Sequence, residues 1–448
     1  MDDESLEEQF KKLKFLVELS AHKNQNSNLS FDTLVQMDES DGISPSEPIS
    51  DTVEKQLEVE DSVQKIYDDV LSKGSEHFPA LNRKGHLIYT NIFLHKPLPS
   101  QMTVLDASHC WILYWLINAT SLLGGVQSIK SDVCQNCIKM AMSYLYEDDE
   151  DEGFGGGYMQ TPHLADTYAM LCTLAIVGDE ECWSQIDRKK VYHLLLSLKN
   201  KDGSFAIAKD SETDTRSVYC ALCTACMLNI LDDELKKGVE DWIVSCQTYE
   251  GGFAGNPGDE AHSGYTFCAI ASLCILKSPA RIAELINVDS LLRWLCHRQY
   301  AIEGGLSGRT NKLVDGCYSH WGGGTAALLE CISGNRNVIN RTALQNYILC
   351  CCQAEPFGLV DKPGKYPDFY HTNYVLCGLS ACQHYQIYDE KLALKEGTAF
   401  GYRPITIPDE KVITIDEKNL VEALDPVFVA PSGSVLKMRN YYRELKPR

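Results

Sequence analysis

The stretch that decides the fold is EGGFAGNPGDEAHSGYTFCAIASLCIL, residues 250–276. It begins with a turn signal, in which an acidic residue and glycine lead to an apolar residue. An aromatic residue then opens a segment that is apolar nearly all round, and such a helix must be buried on every side. The segments that precede such turns are amphipathic, as in VYHLLLSLKNK and LLRWLCHRQY. The unit is therefore predicted to be a helical hairpin with one buried helix.

This unit recurs along the chain. The apolar residues of the turn signals return at intervals of roughly 50 residues, and a period of this size indicates a stack of one supersecondary unit. A tyrosine follows each of them after a short and similar interval. The apolar turn residues are Phe154, Phe205, Phe253, Leu306 and Leu359, and the tyrosines are Tyr168, Tyr219, Tyr265, Tyr318 and Tyr374.

Two concentric layers of helices satisfy this pattern. Apolar helices form an inner ring, amphipathic helices form an outer ring, and the glycines end helices with left-handed backbone angles. The predicted fold class is all-α, an α-α barrel of about six helical hairpins, with the region of Trp111 as the first. We expect a flexible acidic extension over residues 1–75, the barrel over 76–392, and an extended segment over 393–448 that packs on the barrel or on a partner.

Charge is concentrated at two places in the 448 residues. The net charge is -21, of which -10 lies in residues 1–60 and -6 in the run Glu147–Glu152. This balance argues against sequence-independent binding of nucleic acid or of anionic lipid. No apolar run is long enough for a membrane span and the first residues do not form a signal peptide, so we expect a cytoplasmic protein.

The 19 cysteines are expected to be reduced, small apolar residues. Cys134 and Cys137 have the spacing of a zinc knuckle, but no second pair follows at a matching distance and their flanks are helical. Two thiols one helical turn apart explain this spacing better than a metal clip.

An aromatic-lined pocket for a long apolar ligand is predicted at the mouth of the barrel. Any single tyrosine of the repeats is explained as a core residue, but five of them fall in similar positions, with more aromatic residues near the first and fifth units. The additional aromatic residues are Trp111, Tyr114, Trp115 and Trp321.

One candidate metal site spans two repeats. Asp315 and Cys317 lie in NKLVDGCYSHW, and His371 lies in KYPDFYHTNY one repeat later. Three ligands of mixed type with an open fourth position are typical of catalytic zinc. On spacing alone, a buried cysteine and a hydrogen-bonded histidine explain the pattern more simply.

A second constellation is basic. His262, Arg309 and Lys312 fall at the same predicted rim, with Arg216 one repeat before His262. Cations above an aromatic pocket favour a ligand with a phosphate or diphosphate head and a hydrocarbon tail. For Arg216, an ion pair with Asp214 is an equal alternative.

The repeats, together with NKLVDGCYSHW, EAHSGYTFCA and LVDKPGKYPDFYH, resemble the protein farnesyltransferase β-subunit family over residues 95–390. The resemblance implies a zinc enzyme, with one Zn²⁺ per β subunit and Mg²⁺ with the diphosphate, that transfers farnesyl from farnesyl diphosphate to the Cys of a C-terminal C-a-a-X motif through a zinc-bound thiolate. It also implies an α subunit as heterodimer partner.

The resemblance implies a role for each matching residue. The zinc ligands fall on Asp315, Cys317 and His371, and Asp361 matches a residue associated with magnesium. The diphosphate residues fall on His262, Arg309, Lys312 and Tyr318. The isoprenoid residues fall on Trp111, Tyr168, Arg216, Tyr219, Tyr265, Cys268 and Trp321, with Tyr374 added as part of the pocket floor, and the acceptor peptide is placed near Trp111, Trp115 and Tyr370.

Departures from the family's pattern, among them the glycine-rich stretch 322–324, and three alternatives accompany this prediction. Cys110 stands where a proline is usual, and His320 replaces an aromatic residue, so that a second imidazole could compete for the metal. The alternatives are a type-I geranylgeranyltransferase β subunit, a terpene cyclase of the squalene-hopene kind and a non-catalytic helical-repeat scaffold. The cyclase needs an acidic motif inside the cavity, and the only acidic run, Glu147–Glu152, is predicted to form a turn.

Overall fold

The computed structural model describes residues 50–74, 77–95, 98, 100–406 and 417–445. Six helices form a closed inner ring, because each contacts the next and the last contacts the first. They are His109–Gly124, Leu164–Val177, Thr215–Met227, Ser263–Leu276, Tyr318–Ser333 and Phe369–Gln383. Nearly every residue of these helices is buried, which confirms the prediction made from their apolar sequences.

Six further helices form the outer ring and complete six hairpins. They are Arg83–His95, Ser131–Ser143, Arg188–Leu198, Val239–Ser245, Val288–Cys296 and Arg341–Cys351. Five of them bury a single face; in Arg188–Leu198 the buried residues are Val191, Leu194, Leu195 and Leu198. The sixth, Arg341–Cys351, is buried on nearly every side, because the helix Asp51–Lys73 packs against it. The predicted α-α barrel of about six hairpins is therefore confirmed.

Glycine turns join five of the outer helices to the inner helix that follows, the exception being Arg83–His95. Gly251 has a φ of +110°, and a Cβ there would lie 2.1 Å from the carbonyl oxygen of Ser290 in the next outer helix. Only glycine permits both the backbone angle and this close approach. The turn between Ser131–Ser143 and Leu164–Val177 is a two-stranded hairpin, Leu145–Glu147 with Glu152–Phe154, and the middle of the acidic run, residues 148–151, forms its tip.

Short elements fill the connections. The short α-helices are Glu180–Trp183, Asp233–Lys236, Pro279–Leu285 and Glu390–Glu396, and the 3-10 helices are Ser100–Ser108, Val126–Ser128, Thr398–Gly401 and Glu417–Asn419. A second hairpin pairs His384–Tyr388 with Tyr402–Thr406. No helix within the described ranges is both long and apolar enough to cross a membrane.

The C-terminal segment closes one end of the barrel. The hydroxyls of Tyr114, Tyr168 and Tyr219 donate to three successive backbone carbonyls, those of Val429, Phe428 and Val427, over 2.5, 2.9 and 2.7 Å. The helix Ser434–Glu444 then packs on Leu164–Val177 and Thr215–Met227. We expected an extended segment over residues 393–448; the strand Tyr402–Thr406 is extended, but the described part of this range also holds the helix Ser434–Glu444 and the 3-10 helices Thr398–Gly401 and Glu417–Asn419.

The N-terminal part also differs from the expectation. Residues 1–49, which hold most of the predicted acidic extension, lie outside the described residues. The helix Asp51–Lys73 contacts the outer helix Arg341–Cys351 and buries Val63, Tyr67 and Val70. Its Tyr67 hydroxyl donates to the carbonyl oxygen of Glu303 over 2.6 Å. This helix is therefore docked on the barrel, and the division near residue 75 stays a prediction.

Candidate functional site

Asp315, Cys317 and His371 converge at one rim of the barrel. Their ligand atoms all lie within 4.8 Å of one another, although they come from two hairpins. Cys317 is the residue before the first turn of the helix Tyr318–Ser333, and His371 lies in the first turn of the neighbouring helix Phe369–Gln383. The two helices are adjacent in the inner ring, which explains why residues distant in sequence meet here.

Hydrogen bonds orient these three side chains. Nε2 of His371 lies 3.1 Å from Oδ1 of Asp315, and Nδ1 of His371 lies 2.7 Å from Oδ2 of Asp368. The backbone N–H groups of Cys317 and His371 donate to Asp315 and Asp368, respectively. Burial lowers the pKa of His371, but its bonds with the two carboxylates outweigh burial and raise that pKa to about 9.

The three residues fit a divalent metal ion of the zinc type. One sulfur, one oxygen and one nitrogen ligand form the mixed set that zinc accepts, and ligands at about 2.0–2.3 Å from one ion lie about 3–4 Å apart. Asp368 supplies the carboxylate that commonly holds the other ring nitrogen of a ligating histidine. This is the only candidate metal group within the described residues. Cys134 and Cys137 lie one turn apart on the helix Ser131–Ser143, as the sequence predicted, with Cys137 buried and Cys134 partly buried.

A group of polar side chains lies beside this triad. Nε2 of His262 lies 3.1 Å from the hydroxyl oxygen of Tyr318, and the two rings meet edge to face. Arg309 belongs to the same group, since its charge acts on both His262 and Tyr318. Lys312 is exposed on the same segment as Arg309. His262, Tyr318 and Arg309 thus share one rim, but Arg309 is already paired, its Nη1 lying 2.5 Å from Oε2 of Glu260.

Arg216 forms the ion pair with Asp214 that the sequence offered as an alternative to anion binding. Its guanidinium binds both carboxylate oxygens of Asp214, with Nη2 2.5 Å from Oδ2 and Nε 3.2 Å from Oδ1. It also lies over the ring of Tyr265, 5.6 Å from the centroid. Burial raises the pKa of Cys268, and the charges of Asp214 and Arg216 act on its thiol in opposite senses. These residues therefore form one cluster on the rim.

Aromatic rings form a closed circuit inside the barrel, which we call the aromatic belt. Neighbouring ring centroids are 4.6 to 6.0 Å apart, and every inner helix contributes at least one ring. Such offset and edge-to-face contacts stabilise the wall beyond its burial. In order around the barrel the rings are Trp111, Tyr168, Tyr219, Phe267, Trp321, Tyr374, Tyr370 and Trp115.

The five repeated tyrosines lie at different levels of the barrel. Tyr168 and Tyr219 follow the apolar residue of their turn at the same interval, and both belong to the belt. Tyr265 and Tyr318 stand two positions nearer to the turn, and both contact His262 at the rim. The ring of Tyr318 lies so close to Gly308 that a Cβ there would be 2.2 Å from it. A larger residue at position 308 would therefore displace the Tyr318 ring from the rim.

Sequence reasoning missed Phe267 and misjudged His320. Each follows the apolar residue of its turn, Phe253 or Leu306, at the same interval as Tyr168 follows that of its own turn. Their rings come after that of Tyr219 around the barrel, with Phe267 4.8 Å from His320. The constant interval from the turn was the signal that would have found them, because it places a side chain at one depth in every repeat.

His320 does not join the metal-ligand group, contrary to the concern raised by the sequence. Its ring stacks on Tyr374 at 5.3 Å, and it is only 1% exposed. Neither ring nitrogen has a hydrogen-bond partner among the described residues. Burial lowers its pKa to about 3, so the imidazole is neutral.

Asp361 lies on the same side of the barrel as the triad. Its carbonyl oxygen accepts from the N–H of Gly316 and from the hydroxyl of Tyr347, over 2.6 and 2.9 Å. One carboxylate oxygen pairs with Lys362 over 2.6 Å. The other is buried without a hydrogen-bond partner within the described residues, so it is free to accept a cation or a donor.

Comparisons with known proteins agree with this architecture. The family model described as the prenyltransferase alpha-alpha toroid domain matches residues 81–430. A solved structure of Candida albicans protein geranylgeranyltransferase-I complexed with GGPP superposes with a TM-score of 0.64, over 82% of this chain and 99% of that chain. At 22% sequence identity, this likeness shows the fold alone.

Curated relatives are more similar in sequence. The protein farnesyltransferase subunit beta of Saccharomyces cerevisiae is 41% identical over 419 residues, which cover 92% of this chain and 91% of that protein. Its counterpart in Pyricularia oryzae is 40% identical over 392 residues, covering 81% and 74%. The geranylgeranyl transferase type-1 subunit beta of Arabidopsis thaliana is 31% identical over 315 residues, covering 64% and 82%.

Proposed function

The chain belongs to the protein farnesyltransferase β-subunit family, and from this premise we propose that it transfers a farnesyl group from farnesyl diphosphate to the Cys of a C-terminal C-a-a-X motif in protein substrates. A β subunit implies an α partner. The observation that carries the proposal is the convergence of Asp315, Cys317 and His371 next to the aromatic belt. A ring-lined barrel with a reactive centre at its rim suits a donor with a long apolar tail.

We propose that Asp315, Cys317 and His371 hold one Zn²⁺ per chain. Zinc, when bound, would lower the pKa of an acceptor thiol so that it is a thiolate at neutral pH. Asp368 keeps Nε2 of His371 directed at the site by binding Nδ1. Tyr370 also forms a hydrogen bond with the Cys317 sulfur, and its hydroxyl accepts from Nε1 of Trp321 over 3.0 Å.

We propose that the rim residues act on the diphosphate. Negative charge develops on the leaving oxygens as the bond to the allylic carbon breaks, and positioned donors stabilise that charge. His262 and Tyr318 are within hydrogen-bond distance of one another, so both point at the same small region, with Arg309 and Lys312 on the segment beside them. Asp361, with its unpaired oxygen, is the residue that would assist a Mg²⁺ ion there.

We propose that the belt holds the isoprenoid tail. Trp111, Tyr168, Tyr219, Trp321 and Tyr374 present ring faces and edges to the interior, and burying a hydrocarbon chain against them is favourable. The rings also exclude water from the reacting carbon. Trp111, Trp115 and Tyr370 form a contiguous trio from the belt toward the metal ligands, which supports placing the acceptor peptide along them.

The alternatives are less well supported. The geranylgeranyl relative is less similar to this chain than the farnesyl relatives are. A scaffold has no need for three metal-type ligands brought together from two hairpins. A cyclase would need an acidic motif inside its cavity, but residues 148–151 of the acidic run lie at a hairpin tip, and Glu152 accepts from the N–H of Asp187.

The state of the cysteines bears on the cellular compartment in which the enzyme works. All 19 cysteines are free in the structure, and most of them are buried. Free thiols in such number are typical of a reducing compartment. We therefore propose that the enzyme works in the cytoplasm.

A transfer assay tests the proposal. This chain would be co-expressed with an α subunit and supplied with an acceptor peptide ending in C-a-a-X and with each prenyl diphosphate in turn. Farnesyl transfer that is faster than geranylgeranyl transfer is the expected result. Faster transfer of geranylgeranyl would favour the type-I alternative, and no transfer with either donor would contradict the proposal.

A further inference from the structure

Arg309 is paired with an acidic residue in the same rim where it is proposed to meet the diphosphate. Its Nη1 lies 2.5 Å from Oε2 of Glu260, and the side chains are 42% and 47% exposed. Glu260 is two residues before His262, so its carboxylate comes from the segment that supplies another anion-binding side chain. The ion pair therefore crosses from one anion-binding segment to the other.

The backbone around this pair is fixed by other contacts. Glu250 accepts from the Thr310 hydroxyl over 2.9 Å and from the N–H of Ala261 over 3.4 Å, so one carboxylate holds the neighbours of both Arg309 and Glu260. The Thr310 hydroxyl also accepts from Nη1 of the buried Arg298 over 3.1 Å. Rotation of two partly exposed side chains is then sufficient to separate Arg309 from Glu260.

Arg309 and Glu260 have opposite effects on an incoming anion. A guanidinium attracts a diphosphate and binds two of its oxygens, whereas a carboxylate at the same place repels it. Glu260 also satisfies the donors that the anion would use. Both charges shift the pKa of His262, which Arg309 lowers and Glu260 raises, so the pair lies near that residue.

We propose that Glu260 is a built-in competitor of the diphosphate: its carboxylate occupies Arg309 in the empty site, is displaced when the anion binds, and recaptures Arg309 when the anion leaves. This inference rests on the proposed function, because it takes the rim of His262, Arg309 and Tyr318 as the diphosphate site. Glu260 therefore weakens the binding of the product diphosphate and speeds its release.

The size of the effect follows from the exposure of the pair. An exposed ion pair and a like charge near the bound anion together change affinity by about two- to tenfold. Removing the Glu260 charge therefore strengthens diphosphate binding by that factor, and the gain shrinks as salt screens the charges. A gain in affinity is informative because a damaged fold would lower affinity.

The test is titration calorimetry of the complete complex with inorganic diphosphate, for wild type and for Glu260→Gln. The variant keeps the size of the side chain and removes the charge. We expect a dissociation constant about two- to tenfold lower and a slower release of diphosphate. The control is Glu284→Gln, which removes the same charge from an exposed pair with Arg281 on the helix Pro279–Leu285, away from the rim.

A double variant tests whether the gain in diphosphate affinity requires Arg309 or follows from any loss of negative charge. In an Arg309→Gln background the guanidinium is absent, so Glu260→Gln gains less than it does in the wild type. An unchanged or weaker affinity in Glu260→Gln overturns the inference. Equal gains in Glu260→Gln and Glu284→Gln, or a full gain without Arg309, overturn it as well.

The proposed diphosphate site is tested separately within the same series. Arg309→Gln alone must weaken diphosphate binding if Arg309 belongs to that site. If Arg309→Gln weakens diphosphate binding but Glu260→Gln does not strengthen it, the diphosphate site stands and only the competition by Glu260 is wrong. If Arg309→Gln binds diphosphate as well as wild type, the site assignment itself is wrong.

Discussion

Nε2 of His371 lies 3.1 Å from Oδ1 of Asp315, a residue of the preceding hairpin. The contact exists because the inner helices that begin at Tyr318 and Phe369 are neighbours, and both side chains stand at the same end of them. Cys317 completes the group from the same end. The proposed chemistry depends on these three metal-ligand side chains, which two neighbouring repeats bring together.

Asp368→Asn is expected to weaken metal binding although Asp368 is outside the ligand group. The carboxylate uses one oxygen for the His371 N–H and the other for Nδ1 of its ring, and an asparagine amide provides only one acceptor. Loss of such a bond lowers metal affinity by about 10- to 100-fold. Competition with a zinc chelator measures this. Asp389→Asn, which changes the cap of a helix remote from the site, should not alter zinc affinity.

Trp111→Thr should shift donor preference toward geranylgeranyl diphosphate, and Tyr374→Phe in addition should increase the shift. Trp111 contributes a large ring to the belt, 6.0 Å from Tyr168, and its loss opens room for a longer tail. Since each extra methylene in an apolar pocket changes discrimination by about 10-fold or more, we expect a change of at least 10-fold in relative kcat/KM. A competition assay with both donors measures it.

Tyr249→Thr is the matched control for this variant, because Tyr249 is 96% exposed. It should leave the ratio of the two donors as in wild type. An unchanged ratio in Trp111→Thr would show that Trp111 does not limit the length of the tail.

His320→Phe is expected to stabilise the protein. Both ring nitrogens of His320 are buried without partners among the described residues, and phenylalanine offers a similar ring with no polar atom to desolvate. Relief of an unsatisfied polar group raises the free energy of unfolding by about 1–3 kcal/mol. Urea unfolding measures this, and His297→Phe, at an exposed position, should give no such gain. A lower free energy of unfolding for His320→Phe would contradict the conclusion that the His320 imidazole has no hydrogen-bond partner within the described ranges.

Tyr219→Phe should loosen the closed end of the barrel. The substitution removes the hydroxyl that donates to the carbonyl oxygen of Val427 over 2.7 Å and leaves that buried acceptor unpaired. The expected loss is about 1–3 kcal/mol of unfolding free energy. Tyr192→Phe removes a hydroxyl that donates to Asp232 at the surface, and it should cost much less. Equal losses in the two variants would contradict a special role for the Val427 contact.

The sequence predicted the barrel because the period and the apolar character of alternate helices are local signals. It also placed Asp315, Cys317 and His371 at one rim, since all three lie at the start of inner helices. The depth of each ring was harder to predict. Tyrosines were grouped by residue type, whereas a constant interval from the turn selects Phe267 and His320.

Two features depend on contacts that no local pattern encodes. The closed end is made by backbone carbonyls of Val427, Phe428 and Val429, and any sequence carries such acceptors. The pairing of Arg309 with Glu260 joins residues 49 positions apart, and no pattern in the sequence marks Glu260 as the partner of Arg309. Only the arrangement of the two rim segments brings them together.

Zinc content tests the central claim most directly. The complete complex would be purified and its zinc measured for wild type, Asp315→Ala, Cys317→Ala and, as a matched thiol control, Cys134→Ala. The account predicts one zinc per chain in wild type and in Cys134→Ala, and loss of most of it in the other two variants. A wild-type complex without zinc, or variants of Asp315 and Cys317 that keep it, would contradict the account.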